Sequence, residues 1–575
     1  MRFLRRTVAL VVLGLAALGC SAEEVTPIAL DQAEPVVEEN EPVELQILTP
    51  KRGTFFEAKD GDQILVKGLG ASPGLTINGE PVIPDEYGTF STTVTARTGL
   101  NLIRAVDEDG SLDVPFLFGQ YASPSKPVSS AVTVRINSGG FKSTDPKNAT
   151  LTRLAQLALD DTNLLAQLKG QTYSGTFTGG SWSFKVTSTS YSGSKVSFSP
   201  RTGGASFQAT VSNVKVNGTL MVKVLFTKTD DATIGLTSAN VTGNIDASLS
   251  SGGTLGAAGT GVKTTLNGFS YDSDNAGFPC CVDWILTKIM QEQVESAVRD
   301  SVRKVLETKV AFALNELGFP ASIDLSSSGY PATIGIKQRF DSASFTSSGA
   351  SLTARVHFTA KVDADDPGKA APGWFEVGSK PLTVSSSAAF GLTVSIDALN
   401  QALHAAWAQG GLERTVDGVP TVGSVKLTPT MPPVVLVTPE GKLYAGIGEV
   451  IVDAMLAGKP VKAALTVQDL VTASLDGKAG ALTLTTSKQP LISLTWLEAS
   501  HVVPVVRDTI KKMVIDQAPS MLVPIALPLP SIPLAGIAPS QAKSVAAIAP
   551  TSLLSFDADT NRARIQGSLV ILPLK

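Results

Sequence analysis

Cysteine and histidine are scarce, with three of each in 575 residues. All are scattered except the neighbours Cys280 and Cys281, which leaves too few ligands for a cysteine-based zinc framework. Charge is scarce as well: 17% of residues are charged, against a usual ~25%. The 47 basic and 51 acidic residues are interspersed and sum to −4, so the electrostatic footprint of a nucleic-acid binder is missing. A disordered chain is excluded by a hydrophobic content of 43% and a mean hydropathy of +0.18. An integral membrane bundle is excluded by the abundance of Ser, Thr and Gly. The length corresponds to about three to four domains.

Arg2, Arg5 and Arg6 precede an apolar run from Thr7 to Leu18, and the run ends in Ala17-Leu18-Gly19-Cys20. A charged stretch, an apolar stretch and small residues form a secretion signal. Its ending resembles the lipobox of bacterial lipoproteins, which implies that Cys20 is the acylated mature N-terminus and that residues 1–20 are signal peptide and lipobox. An ordinary signal peptide with an incidental cysteine is the alternative. Removing residues 1–19 takes away three Arg and no acid, so the mature balance is 44 minus 51, or −7. A polybasic patch is therefore not the membrane contact. Ser21 rather than Asp follows the cysteine, and the enterobacterial sorting rule then implies the outer membrane of a bacterial cell envelope.

Residues 21–43 carry seven acids, no base, and Pro27, Pro35 and Pro42. Self-repulsion and proline stiffness predict an extended tether, reaching at most about 75–80 Å at ~3.3 Å per residue. Residues 44–120 read as short alternating strands: Ile64 to Val66, Leu75 to Ile77 before Asn78-Gly79, Phe90 to Val94 and Leu100 to Val106. This pattern predicts a small β-sandwich. The segments Leu75-Thr76-Ile77-Asn78-Gly79, Gly88-Thr89-Phe90 and Gly99-Leu100-Asn101 resemble the immunoglobulin-like modules of bacterial surface proteins, which implies a spacer.

A larger unit follows. Asn148 and Thr150 are candidate caps for a helix over Leu151 to Leu168, and Phe207 to Val216, Leu220 to Phe226 and Ile234 to Leu249 are long alternating runs. Asp283 to Leu317, stopped by Gly318 and Pro320, predicts a helix about 50 Å long. Leu286, Met290, Val294, Val298, Val302, Leu306, Val310 and Leu314 recur at every fourth position. Such a row drifts about 40° per step and winds about 280° overall, so only a twisted, partly enclosing sheet can follow it. A helix broken near Arg299 to Ser301 is the alternative. Strands around Ile334 to Ile336 and Leu352 to Phe358, a helix over Asp397 to Gln409, further strands to Leu494, and a helix carrying Val506, Ile510, Met513 and Val514 complete the chain.

Residues 128–575 resemble the tubular lipid-binding superfamily, specifically the bactericidal/permeability-increasing protein and lipopolysaccharide-binding protein family. The resemblance rests on the order of elements, Trp284 to Met290, Ser344-Phe345-Thr346 before Leu352-Thr353-Ala354, Ile396 to Leu403, and the proline-rich Leu527 to Leu534. It implies an α+β fold of two highly curved antiparallel sheets, each wrapped round a long helix, over residues 121–325 and 326–575. It further implies noncatalytic binding of an acyl-chain lipid, and its transfer, with no cofactor, and with Leu286, Met290, Val294, Val298, Val302, Leu306 and Val310 lining the cavity. A structural or adhesive surface protein with a protein-filled interior is the alternative. Mammalian members have a disulfide between distant cysteines and a basic tip; here Cys280 and Cys281 are adjacent and the chain is acidic, which argues against lipopolysaccharide-directed or bactericidal action. The pair is either a strained vicinal disulfide or two free thiols.

Other motifs dissolve on inspection. Gly70-Ala71-Ser72-Pro73-Gly74 has the esterase spacing, but Pro73 lacks the N–H that the oxyanion hole requires. His357, His404 and His501 have no metal-site spacing, and Asp272 to Asp283 lacks a calcium ligand at Ala276. Gly252 to Gly261 reads as a flexible hairpin. The uncharged run Val523 to Pro539 is too rich in proline for a spanning helix and reads as an extended buried segment or an apolar rim.

Overall fold

The computed structural model describes residues 44–57, 62–142, 145–224, 227–273, 280–326, 332–360, 371–382, 384, 388–419, 423–456, 459–476, 481–485, 490–498, 525–549 and 551–574. Over 280–287 only the backbone course is described. Cys20, the tether, His501 and the expected helix at Val506 to Val514 lie outside the described residues, as do the side chains of Cys280, Cys281 and Leu286. Strand accounts for 59% of the described residues, so the architecture there is mainly β with few helices. No helix among the described residues is long and apolar enough to cross a membrane.

The N-terminal unit is built from two sheets. One orders Gln46–Thr49, Gln63–Leu69 and Phe90–Thr95; the other orders Thr54–Glu57, Ser111–Ala122, Gly99–Val106, Thr76–Ile77 and Glu80–Pro81. Strict alternation along Gln63–Leu69 turns Ile64 and Val66 inward, where they meet Ile103, Phe116 and Phe118 in a separate apolar core. The strand Ser111–Ala122 leaves this unit, and its end pairs with Trp374–Glu376.

The first curled sheet orders Thr172–Phe177, Gly180–Ser190, Gly204–Lys223, Thr227–Leu249 and Leu255–Asn267. Along Gly204–Lys223 the inward set is Phe207, Ala209 and Val211, then Val214 and Val216. Asn213, at φ 51°, interrupts the period of two, a conformation that Asn tolerates better than most residues. The paired strand changes phase at the same level, from Ile234 and Leu236 to Ala239 and Val241. The strands therefore bend while keeping one apolar face inward. Gly256 to Gly261 form part of the strand Leu255–Asn267, not a hairpin loop. Asn315 bonds both the N–H and the carbonyl of Leu255, and Glu307 accepts from Gly259 N at 2.6 Å, so side chains of the long helix hold this edge.

That helix runs over Cys280–Asn315 without interruption at Arg299 to Ser301. The first helix is shorter than expected. Thr150 accepts from Arg153 N at 3.2 Å, but the helix ends at Asp160 and only a 3₁₀ turn forms at Ala166–Leu168. The intervening Thr162 and Asn163 bond nearby backbone instead, Thr162 Oγ1 donating to the Ala158 carbonyl and Asn163 Oδ1 accepting from Leu165 N.

A central seven-stranded sheet orders Ser322–Asp324, Thr333–Thr346, Gly349–Thr359, Val128–Asn137, Phe390–Ser395, Arg562–Gly567 and Leu553–Asp557. The second curled sheet orders Arg414–Val419, Gly423–Pro429, Leu443–Leu456, Lys459–Asp476, Ala481–Thr485 and Ile525–Pro528. The helix Ile396–Ala408, capped by Ser395, lies between them and is buried from Ile396 to Trp407. One continuous apolar core joins the long helix, the first curled sheet, the central sheet and this short helix.

Candidate functional site

One face of the central sheet is apolar by alternation. Ile136, Val134 and Val132 stand opposite Phe390, Leu392 and Val394 in register, and Ala350, Leu352 and Ala354 continue the face on the other side. Two apolar cavities open on it. The first is lined by Ile136, Phe390, Leu151, Leu154, Leu317, Ile532 and Leu569, among others, and has a volume of about 50 Å³. The second, about 10 Å³, is lined by Phe319, Ile323, Phe358, Val394, Leu399, Ala402, Leu482 and Leu529. Both are far below the ~300–1,000 Å³ of a small-molecule pocket.

The two cavities are separated by very short pieces of chain. Leu317 lines the first and Phe319 the second; Ile532 lines the first and Leu529 the second. Thus 317–319, at the exit of the long helix, and 529–532, in the proline-rich run, cross the same apolar face. Phe319 N donates to Gln338 Oε1 at 2.7 Å. A Cβ on Gly318 would stand 1.7 Å from Gln338 Nε2, so the crossing has room only for glycine while Gln338 keeps that position. Where described, the uncharged run beginning at Val523 is strand at Ile525–Pro528 and Ile532–Pro533 and then turns through a 3₁₀ helix at Leu534–Gly536, with Leu529, Ile532, Leu534 and Ile537 all buried.

The opposite face is polar. Arg562 is fully buried there and donates to the carbonyls of Lys380 (2.7 Å) and Ser130 and to Thr393 Oγ1 (3.1 Å). Burial pushes its pKa down to about 10, opposed by the charge of Asp397. Asp397 accepts from Val377 N and Ser379 N, each at 2.7 Å, yet burial still raises its carboxyl pKa. The two groups join strands from distant parts of the chain.

The helical row expected to line a cavity lies in the core. Met290, Val294, Val298, Val302 and Leu306 are each 0% exposed and Val310 is 8% exposed; they pack within the core shared with the first curled sheet. The cavity-lining residues are instead spread from Ile136 to Leu569. Their local signal is ordinary strand alternation at Ile136, Phe390 and Val394 and the apolar side of a helix at Leu151, Leu154, Leu399 and Ala402, apart from Leu529 and Ile532 in the uncharged run. Ser72, His357 and His404 belong to the sandwich, the central sheet and the short helix respectively. His357 Nε2 bonds the Pro124 carbonyl at 2.9 Å. No metal-binding cluster occurs among the described residues.

No family model matches the chain, and no curated protein matches it. Among solved structures it is similar to a lipopolysaccharide binding protein, with 11% identity, a TM-score of 0.40, and coverage of 78% of this chain and 100% of that one. It is also similar to P47 of Clostridium botulinum E1 (8% identity, TM-score 0.23, coverage 77% and 100%) and P47 of Clostridium botulinum A2 (8%, 0.25, 77% and 98%).

Proposed function

We propose that the protein is a noncatalytic lipid binder of the bacterial envelope, anchored through acylated Cys20 in the outer membrane, that holds and transfers an acyl-chain lipid along the apolar face of its central sheet. The observation that supports this reading is the pair of apolar cavities at 317–319 and 529–532. Their volumes require the crossing segments to part before an acyl chain can enter. Each buried methylene then contributes ~0.8 kcal/mol, so ten offset about 8 kcal/mol of ordering and association costs. In this reading the fold is a tubular lipid-binding one, with an immunoglobulin-like module at its N-terminus.

A second reading, a structural surface protein with a protein-filled interior, is favoured by the complete burial of Met290, Val294, Val298, Val302 and Leu306. Native mass spectrometry of detergent-free protein separates the two. Bound lipid of defined mass is expected under the first, and a bare polypeptide mass in every preparation selects the second. In the same preparations, Cys20→Ala should move the protein from the membrane to the soluble fraction.

A further inference from the structure

Residues 44–120 were expected to act as a spacer; in the structure this unit docks on the second half. Arg52 Nε donates to Glu449 Oε1 at 2.8 Å, and Asp113, bound by Arg104, also accepts from Ser493 Oγ. Leu100 fits against Gly446 and Gly448, where an added Cβ would come within 2.7 Å and 2.9 Å of Leu100 carbons, and its carbonyl accepts from Gln468 Nε2 at 3.1 Å. Leu100, Leu117, Phe375, Met431 and Val434 form one apolar cluster across the junction.

The strand Val434–Val437 stands between that junction and the site. Successive residues of a strand point to opposite faces. Val434 and Leu436 belong to the junction cluster, whereas Val435 belongs to the main core. Asn400 grips Val435 at both backbone groups, donating to its carbonyl at 3.1 Å and accepting its N–H at 2.7 Å. Asn400 lies on the short helix whose Leu399 and Ala402 line the second cavity. A second path is parallel: Phe375 faces the junction, while its neighbour Trp374 is in the main core.

We infer that the N-terminal sandwich is a positioning element for the second cavity, acting through Leu100, the strand Val434–Val437 and Asn400 on the helix that forms the cavity wall. The inference rests on the lipid-binding reading for its consequence, but the mechanical link has its own test.

The full-length protein is incubated with phosphatidylglycerol and phosphatidylethanolamine vesicles carrying a photoreactive group on the acyl chain, and labelled peptides and amide deuterium exchange are read together. Leu100→Asp should speed exchange at 396–408 and 434–437 and lower labelling of second-cavity peptides by about fivefold or more, the low end of energetic couplings between sites. Labelling at the first cavity should stay nearly constant. Gly448→Val, which wedges the junction from the other side, guards against unfolding of the sandwich itself, monitored by exchange at 63–69 and 90–95. Unchanged exchange at 396–408 in an undocked variant overturns the inference, whatever lipid does. Absence of labelling at both cavities in the parent protein overturns the lipid-binding reading and leaves the exchange result to judge the link.

Discussion

Arg52 and Glu449 are 397 positions apart in the chain and 2.8 Å apart in the folded molecule. Glu449 is buried, sits at φ 42°, and also accepts from Thr430 Oγ1 at 3.0 Å. Arg52 donates with its other arm to the carbonyl of Asp113. The pair therefore ties the sandwich to a kinked point of the second curled sheet.

Arg52→Ala should lower stability by about 1–3 kcal/mol, less than a fully buried pair would lose because both side chains retain some exposure. Glu449→Gln should lose less, since an amide oxygen still accepts from Arg52. Urea denaturation of the three proteins checks the order. If Arg52→Ala is as stable as the parent, the sandwich rests on the second half without being held by this pair.

At the crossing between the cavities, Gly318→Ala should displace the Gln338 amide and break its bond to Phe319 N. The clash is with the mobile end of a side chain, so the cost should be that of the hydrogen bond, about 0.5–1.5 kcal/mol. Placing the substitution in a Gln338→Ala background should remove most of that cost. Equal losses in both backgrounds would show that Gly318 is required for another reason.

Core and cavity positions should respond oppositely to added bulk. Val298→Trp, at a site with no exposure, overpacks the interior and should cost at least about 1–3 kcal/mol. Ala149→Val adds two methyl groups to the wall of the first cavity, and cavity filling commonly gains about 0.5–2 kcal/mol. Thermal unfolding, together with bound lipid per protein, reads both. A large loss from Ala149→Val would mean that the first cavity has no room to give.

His404 supplies an acid limit. Its ring lies 5.6 Å from that of Trp407 on a buried helix, and burial pushes its pKa down to about 4 from 6.5. Between these values the unfolded chain binds more protons than the folded one. Stability is therefore fully present above pH 6.5 and falls as pH drops toward 4, by on the order of 3 kcal/mol. Asp397 on the same helix acts in the opposite sense, because burial raises its carboxyl pKa and acid then favours the folded state. Denaturation midpoints between pH 7 and 4 should fall more steeply for the parent than for His404→Gln. Parallel pH profiles would remove His404 as the cause.

Much of the local structure is legible in the residues. The row at every fourth position from Met290 to Leu306 marks the buried side of the long helix, and Thr150 is readable as a cap. The strand runs follow from alternation, because a period of two has one inward face. What could not be read depends on pairing across long stretches of chain. Ile136 and Phe390 look like ordinary strand residues until register places them opposite each other. Leu100 and Val434 likewise meet only through the docking of two units. Asn213 looks like an exposed polar residue within a strand, and nothing local reveals that its backbone reverses which side faces inward.

The central sheet also dictates an order of assembly. Its middle strand, Val128–Asn137, pairs with Gly349–Thr359 and Phe390–Ser395, and Phe390–Ser395 pairs in turn with Arg562–Gly567. The guanidinium that reaches Ser130 comes from the last of these. A chain emerging from its N-terminus therefore cannot complete this sheet until residue 567 is free, and the apolar face of Val128–Asn137 must wait for partners hundreds of residues away. Loop closure of that length makes folding slow and leaves strand edges open to wrong partners until the final strands arrive.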